Sequence, residues 1–342
     1  MKKVLITGGA GFIGCHIAKR HIEEGAEVIV LDNLSRKGSA VNLQWLSRHG
    51  RFSFLQLDVR NYDHLSEVFG GNPSIDVVYH MAAQVAVTTS VSYPKIDFDT
   101  NLLGTFNLLE AIRRSACRPI LIFASTNKVY GPLTDVELVE KDAGYEYLAS
   151  RDGISETQPL DFYSPYACSK GAAEQYVKDY CRVYGLRAVI FRQSCIYGPR
   201  QLGVEDQGWV AWFILAGLLD RPITIYGNGK QVRDLLFIDD LVEAYRRAVQ
   251  NIERVNSEVF NIGGGKNNQI SLLELLDLLR LCLGKDISVA FSDWRPGDQK
   301  IFVSDISKAK RDLEWGPKTG VRAGISKLIQ CLRNENLLAQ IA

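Results

Sequence analysis

Charge of one sign is missing from this sequence: 40 Lys and Arg stand against 39 Asp and Glu, a net of +1 over 342 residues. Such a chain has no long-range field to gather nucleic acid or an anionic membrane, so any anion it binds must be held locally. Long apolar runs are missing too. No stretch approaches the roughly 18 residues of a membrane span, and the basic start "MKKVLITGG" has only four apolar residues before glycines break it, too few for a secretory leader. The cysteines (Cys15, Cys117, Cys168, Cys181, Cys195, Cys282 and Cys331) are odd in number and scattered. They form no CxxC pair and no cluster with the five histidines, which argues against a disulfide framework or a metal site and predicts a reducing, cytoplasmic setting. Internal repeats and low-complexity tracts are absent as well.

What is present is enough apolar sequence, 46% of residues, for one large core or two fused smaller ones. Short β-branched runs at 4–7, 28–31, 52–57, 77–82, 120–125 and 188–194 alternate with amphipathic stretches such as 12–24, 98–115 and 166–184. Strands separated by helices pair in parallel, and runs apolar on both faces lie in a sheet covered on each side. The prediction is a doubly wound parallel α/β sheet of Rossmann type, with a smaller mixed α/β C-terminal region. Residues 1–194 form the cofactor domain, joined by a segment returning near 234–264; residues 195–233 and 265–342 form the substrate region. Turn clusters "YGPRQLG", "YGNGKQ", "GGGKNN" and "WRPGD" punctuate that second half.

"TGGAGFIG" puts Gly8, Gly11 and Gly14 between the first strand and the first helix, where a dinucleotide pyrophosphate needs a tight turn and close backbone approach. Asp32 ends the second strand, placed to accept hydrogen bonds from a ribose diol, which favours NAD over NADP. Arg36 and Lys37 read as solvated loop charges. Asp58 ends the third strand and either meets the adenine rim or stays solvated. In "YACSK", Tyr166 and Lys170 share a helix face at i and i+4; a lysine there lowers the phenol's pKa and makes it a usable base. Thr126, ending the fifth strand, adds a hydroxyl partner.

Together "TGGAGFIG", "STNKVYG", "SPYACSK", "YGPR" and "RPGD" resemble the extended short-chain dehydrogenase/reductase family of nucleotide-sugar epimerases and dehydratases. More narrowly, "DNLSRKG", "STNKVYG", "DQGWV" and "GNGKQVRD" resemble its CDP-paratose 2-epimerase (CDP-tyvelose epimerase) subgroup. The resemblance implies that Tyr166 is the base, Thr126 holds the sugar oxygen, and Lys170 tunes Tyr166 and binds the nicotinamide ribose. It implies NAD contacts at Gly8, Gly11, Phe12, Ile13, Gly14, Asp32, Asn33, Asp58, Val59, Ala82, Gln84 and Asn101. Substrate contacts would come from Gln84, Thr126, Asn127, Lys128, Cys195, Arg200, Arg233, Arg295 and Asp298, with arginine forks on a diphosphate and a carboxylate on hydroxyls.

The family's 4,6-dehydratases carry Asp-Glu directly after the catalytic threonine, because losing water needs an extra acid and base. Here Asn127 and Lys128 stand there, which disfavours dehydration; Lys128 faces either a phosphate or solvent. Cys195 replaces an asparagine that meets the diphosphate in many 4-epimerases, and nothing marks it as a nucleophile. The insertion from 131 to 165 is a lid over the sugar or a passive loop. By resemblance, helices 98–115 and 166–184 pair with a second subunit in a homodimer or homotetramer. The expected activity is NAD-dependent inversion at C2 of a CDP-hexose (CDP-paratose/CDP-tyvelose or CDP-glucose/CDP-mannose) through a transient 2-keto sugar. The rivals are a UDP-sugar 4-epimerase, a non-catalytic NAD-binding regulator and a reductase consuming external NAD(P)H.

Overall fold

The computed structural model describes residues 2–149, 152–295 and 298–334. Seven parallel strands form the main sheet, in the spatial order Val259–Ile262, Arg187–Gln193, Ile120–Thr126, Val77–His80, Lys3–Thr7, Glu27–Leu31 and Ser53–Leu55. Alternation along each strand feeds two cores. Val4 and Ile6 face one, and Leu5 with Ile29 and Leu31 faces the other, so both faces are covered. The chain winds outward from the first strand in one direction and then in the other, which leaves a crevice between the carboxyl ends of Lys3–Thr7 and Val77–His80. Ligands of such sheets bind at that switch point.

Two expected elements differ. The third strand, expected over 52–57, is only Ser53–Leu55: Leu57 N turns back to Leu55 O at 3.0 Å, and Asn107 Nδ2 takes the carbonyls of Val59 and Arg60. The helix expected over 98–115 is broken into Pro94–Asp97, a widened π-helical turn Phe98–Leu103, and Gly104–Arg114. Gly104 packs where a Cβ would come 2.7 Å from Val59 Cγ2, and the inward side chains of Asp97 and Asn101 are held from the wide turn and its start.

The C-terminal half builds a second, smaller sheet around Val232–Phe237, which runs parallel to Cys195–Tyr197 and Ile301–Phe302 and antiparallel to Gln269–Ser271. A further parallel pair joins Ile223–Tyr226 to Val289–Ser292. The segment 234–264 therefore divides. Its start lies in the small sheet, helix Ile238–Gln250 packs Tyr245 against Tyr79 and Phe191 of the main sheet, and Val259–Ile262 becomes its edge strand.

The insertion is hydrogen-bonded to the second region. Its hairpin Leu138–Glu140/Tyr145–Tyr147 is tied to the second region by Tyr145 N to Lys230 O and by Ile154 N to Val303 O at 2.7 Å. Tyr147 OH also accepts Val303 N. Ser150 and Arg151 of this insertion, and Pro296 and Gly297 of "RPGD", lie outside the described residues, as does 335–342 of the C-terminal region.

Candidate active site

The first strand ends in a turn that only glycine permits. Gly8 has φ +66°, and a Cβ on it would lie 2.6 Å from Ala82 N; a Cβ on Gly14 would lie 2.2 Å from Gly8 O. Helix Phe12–Glu23 starts at Gly11 without a side-chain cap, leaving its first N–H groups for an anion. Asp32 follows the second strand, its Oδ2 accepting Ala10 N at 3.0 Å and its Oδ1 accepting Leu34 N at 2.8 Å. Burial pushes its carboxyl up, against those backbone hydrogen bonds. Asp58 is held by Arg60 and by Asn33 Nδ2 at 2.8 Å, and the Arg60 hydrogen bond takes it down to about 2. A side-chain-free cradle at a helix start, followed by a carboxylate at the next strand end, fits a dinucleotide with a free ribose diol.

Some expected contacts are spent within the protein. Asn101 Oδ1 accepts Gln84 N at 2.8 Å, and its Nδ2 donates to Gln84 O at 3.0 Å. The Gln84 amide in turn binds Ala86 O and Asp97. Both side-chain amides are engaged within the protein, where they shape the loop 81–86. Val59 is a core side chain whose carbonyl accepts Asn107 Nδ2. Arg200 does not line the cavity: its guanidinium turns to Asn42 Oδ1, Val41 O and the Trp45 ring, bracing helix Ser39–Leu46. Arg36 is exposed, as expected of a loop charge, and also donates to Gln207 Oε1.

The remaining predicted substrate residues meet in one cavity of about 390 Å³ at the switch point. Phe12, Ile13, Thr126, Asn127, Lys128, Tyr166, Cys195, Arg233, Arg295 and Asp298 all line it. Thr126 closes strand Ile120–Thr126 and accepts Lys128 N at 3.2 Å. Ser164 caps helix Pro165–Tyr184 through Ala167 N, presenting Tyr166 in its first turn. Burial pushes the Tyr166 phenol up to about 12, while a hydrogen bond with Thr126 opposes the rise. Burial also takes Lys170 down to about 8 against the charges of Asp97 and Glu174. Lys170 stands over the Phe123 ring at 4.4 Å. The expected lowering of the phenol by Lys170 is thus not what sets Tyr166 in the protein alone; burial and Thr126 do.

At the cavity's other end, Arg233 Nη2 reaches Asp298 Oδ1 at 3.3 Å and Lys128 Nζ lies 4.0 Å from the same oxygen. Arg295 pairs with Asp206 at 3.0 Å and lies over the Tyr226 ring at 3.8 Å. Three cations, two of them on Asp298 and the third on Asp206, give this end of the cavity the local cationic lining that a nearly neutral chain needs to hold an anion. Cys195 accepts Trp209 Nε1 at 3.4 Å, and burial pushes its thiol up, which removes it as a nucleophile. The sequence reading missed Val87, Thr88, Trp209 and Tyr226 as walls. Only Trp209 carried a signal, inside "DQGWV"; the others are apolar or hydroxyl residues without a chemical mark.

Residues 4–263 match the NAD dependent epimerase/dehydratase family. Over 331 residues the chain is 43% identical to CDP-paratose 2-epimerase of Salmonella typhi, covering 95% of this chain and 98% of that one. The UDP-glucose 4-epimerase of Thermotoga maritima, solved with UDP-glucose, is similar at TM-score 0.83 and 32% identity, covering 97% and 98% of the two chains. The Thermus thermophilus UDP-glucose 4-epimerase, solved with NAD, is similar at TM-score 0.81 and 33% identity over 97% and 99%. With its glycine cradle, its Thr-Tyr-Lys set and these likenesses along nearly its whole length, the chain belongs to the NAD-dependent epimerase/dehydratase family and is a nucleotide-sugar epimerase that uses NAD.

Proposed function

We propose that the chain inverts C2 of a CDP-linked hexose, interconverting CDP-paratose and CDP-tyvelose or the full-hexose pair CDP-glucose and CDP-mannose. One observation carries the reading: the 43% identity to a CDP-paratose 2-epimerase spans both chains almost end to end. The site supports it by what flanks Thr126. Asn127 and Lys128 line the cavity there, and neither supplies a carboxyl for removing water, so oxidation and re-reduction at one carbon remain.

In this mechanism Gly8, Gly11, Gly14 and Asp32 would hold the dinucleotide, with Phe12 and Ile13 contacting it where they line the cavity. Bound NAD⁺ supplies a reversible hydride acceptor and the positive charge of its oxidised ring. Tyr166 takes the proton from the C2 hydroxyl, and Thr126 holds that oxygen. Arg233, Arg295 and Lys128 anchor the diphosphate while the keto sugar turns, and Tyr166 returns the proton after the opposite face is reduced. The test is to incubate the purified protein, without added cofactor, with CDP-glucose, CDP-paratose and UDP-glucose and to follow the ring protons by NMR. Inversion at C2 of a CDP-sugar is expected. Inversion at C4 of UDP-glucose would replace this reading with the activity named for the Thermotoga relative.

The same reading includes a homodimer. Val91, Ile96, Phe98, Phe106, Tyr176 and Val183 are exposed apolar side chains on the segments 87–114 and 165–184, and Phe106 and Tyr176 pack edge to face at 5.6 Å. Apolar surface gathered on two adjacent helices suits a second copy of the same face. Sedimentation should give a dimer, and Phe106→Glu should shift it to monomer; a concentration-independent monomer for the unaltered chain would defeat the proposal.

A further inference from the structure

Asp97 is a fully buried carboxylate whose hydrogen-bond donors are all neutral. Its Oδ2 accepts the Ser169 hydroxyl, and its Oδ1 accepts Gln84 Nε2 at 3.0 Å and Asn101 Nδ2 at 3.1 Å. Three donors converge on two oxygens. An amide at this position has one acceptor oxygen and would turn an N–H into the cluster, so the donor set selects a carboxylate. Asp97 makes no ion pair among the described residues, in contrast to buried Glu174, which Arg192 neutralises at 2.5 Å. The cation whose charge Asp97 feels is Lys170. A charge kept in the interior without a paired cation is costly unless donors surround it.

The donors come from three different segments of the site. Gln84 belongs to the loop after the fourth strand, whose Ala82 backbone abuts Gly8. Asn101 belongs to the π-helical turn, and such turns recur at functional positions. Ser169 lies between Tyr166 and Lys170 on one helix turn, and its hydroxyl also meets Tyr166 O at 3.1 Å and Asn101 Nδ2 at 3.1 Å. We propose that Asp97 is a positioning residue for the epimerase reaction: its carboxylate ties the loop 81–86, the turn 98–103 and the Tyr166–Lys170 turn into one unit and sets a fixed negative charge facing Lys170. A polar network satisfied at every member rigidifies what it joins. The charged and titratable groups facing Lys170 are Asp97, Glu174 with Arg192 behind it, and His80, whose ring feels the ammonium. With Glu174 neutralised, Asp97 is the net negative charge among them.

This inference rests on the reading that Tyr166 and Lys170 act on the sugar, and its test separates the two. Asp97→Asn and Ser169→Ala are compared with the unaltered holoenzyme by amide hydrogen exchange and by the pH profile of kcat, on whichever nucleotide sugar the unaltered protein converts. In Asp97→Asn, exchange should quicken about tenfold or more in 81–86 and in the first turn of helix Pro165–Tyr184. kcat should fall about tenfold with KM within about twofold, and the alkaline limb of the profile should move down by about one pH unit, since removing a negative charge favours the neutral amine. Ser169→Ala should quicken exchange and lower kcat without moving that limb. An unmoved alkaline limb in Asp97→Asn, or a loss seen only in KM, overturns the proposal. Should Asp97→Asn not fold, Ser169→Ala with unaltered exchange and kcat overturns it. An unaltered protein that does not invert C2 of a CDP-sugar defeats the substrate reading alone, because the exchange comparison needs no substrate.

Discussion

The chemistry of single residues here is set by burial more than by neighbouring charge. Tyr166 is held protonated by its surroundings, up to about 12, with only the Thr126 hydrogen bond working the other way. A phenol in that condition needs a nearby cation before it can serve as a base. Tyr166→Phe removes the hydroxyl that the proposed mechanism uses to move the proton and leaves the cradle at Gly8 and Gly14 untouched. Its turnover should fall by about 10²- to 10⁴-fold, while the NAD released on denaturation stays equal to that of the unaltered protein. Turnover at the original rate would take Tyr166 out of the base role. Burial dominates Lys128 too: it lowers the ammonium, Arg233 lowers it further, and Asp298 and Cys195 raise it. In the proposed mechanism it is one of the cations that anchor the diphosphate.

At the scale of elements, the catalytic helix is tied to the sheet by one buried ion pair. Glu174, a turn beyond Lys170, accepts the Arg192 fork and Ser125 Oγ at 2.8 Å. Arg192 passes on to Tyr130 OH at 2.9 Å, which donates to Asn261 Oδ1 at 2.7 Å. Helix, two neighbouring strands and the edge strand are thereby joined through side chains that carry no sequence signature. Glu174→Gln strands the guanidinium and should cost about 3–5 kcal/mol, read as a lower midpoint in urea unfolding; a midpoint within error of the original would show the pair to be idle. The strands were legible because a covered parallel sheet demands unbroken apolar runs, and the glycine turn because no side chain fits it. The cleft's charged ends were legible as motifs. What escaped were side chains whose partners lie far off in sequence. Gln84, Asn101 and Arg200 have the residue types of ligand contacts, and only tertiary packing shows their polar atoms already taken. The break in the helix at 98–103 escaped for the same reason, since its apolar spacing is helical and the wide turn answers to Val59 and Gln84.

For the whole molecule, carboxylates held low by arginines, such as Asp58, Glu110 and Glu243, lose their stabilisation only as pH falls below about 4. Between pH 7 and pH 5 the pH dependence of stability therefore falls mainly to the buried histidines. His80 lies between Thr7 Oγ1 at 2.6 Å and Thr105 Oγ1 at 3.0 Å, and burial takes it from an ordinary 6.5 down to about 3. Above 6.5 the ring is neutral in both folded and unfolded chains and contributes no pH dependence. Below it the unfolded chain binds a proton that the folded one refuses until about 3, so stability declines across that window by up to about 1.4 kcal/mol per pH unit for each such ring. Burial lowers His16 and His21 in the same sense. Burial raises Asp32, Asp97, Glu156 and Asp234, which then hold protons more tightly when folded and oppose the loss. The clear signature is therefore a difference. His80→Gln keeps an amide between the two threonines and has nothing to titrate, so urea unfolding at pH 7 and pH 5 should show the unaltered protein losing more stability than the variant. Parallel losses in the two proteins would mean that the strand carrying His80, at the centre of the sheet, admits the proton without opening.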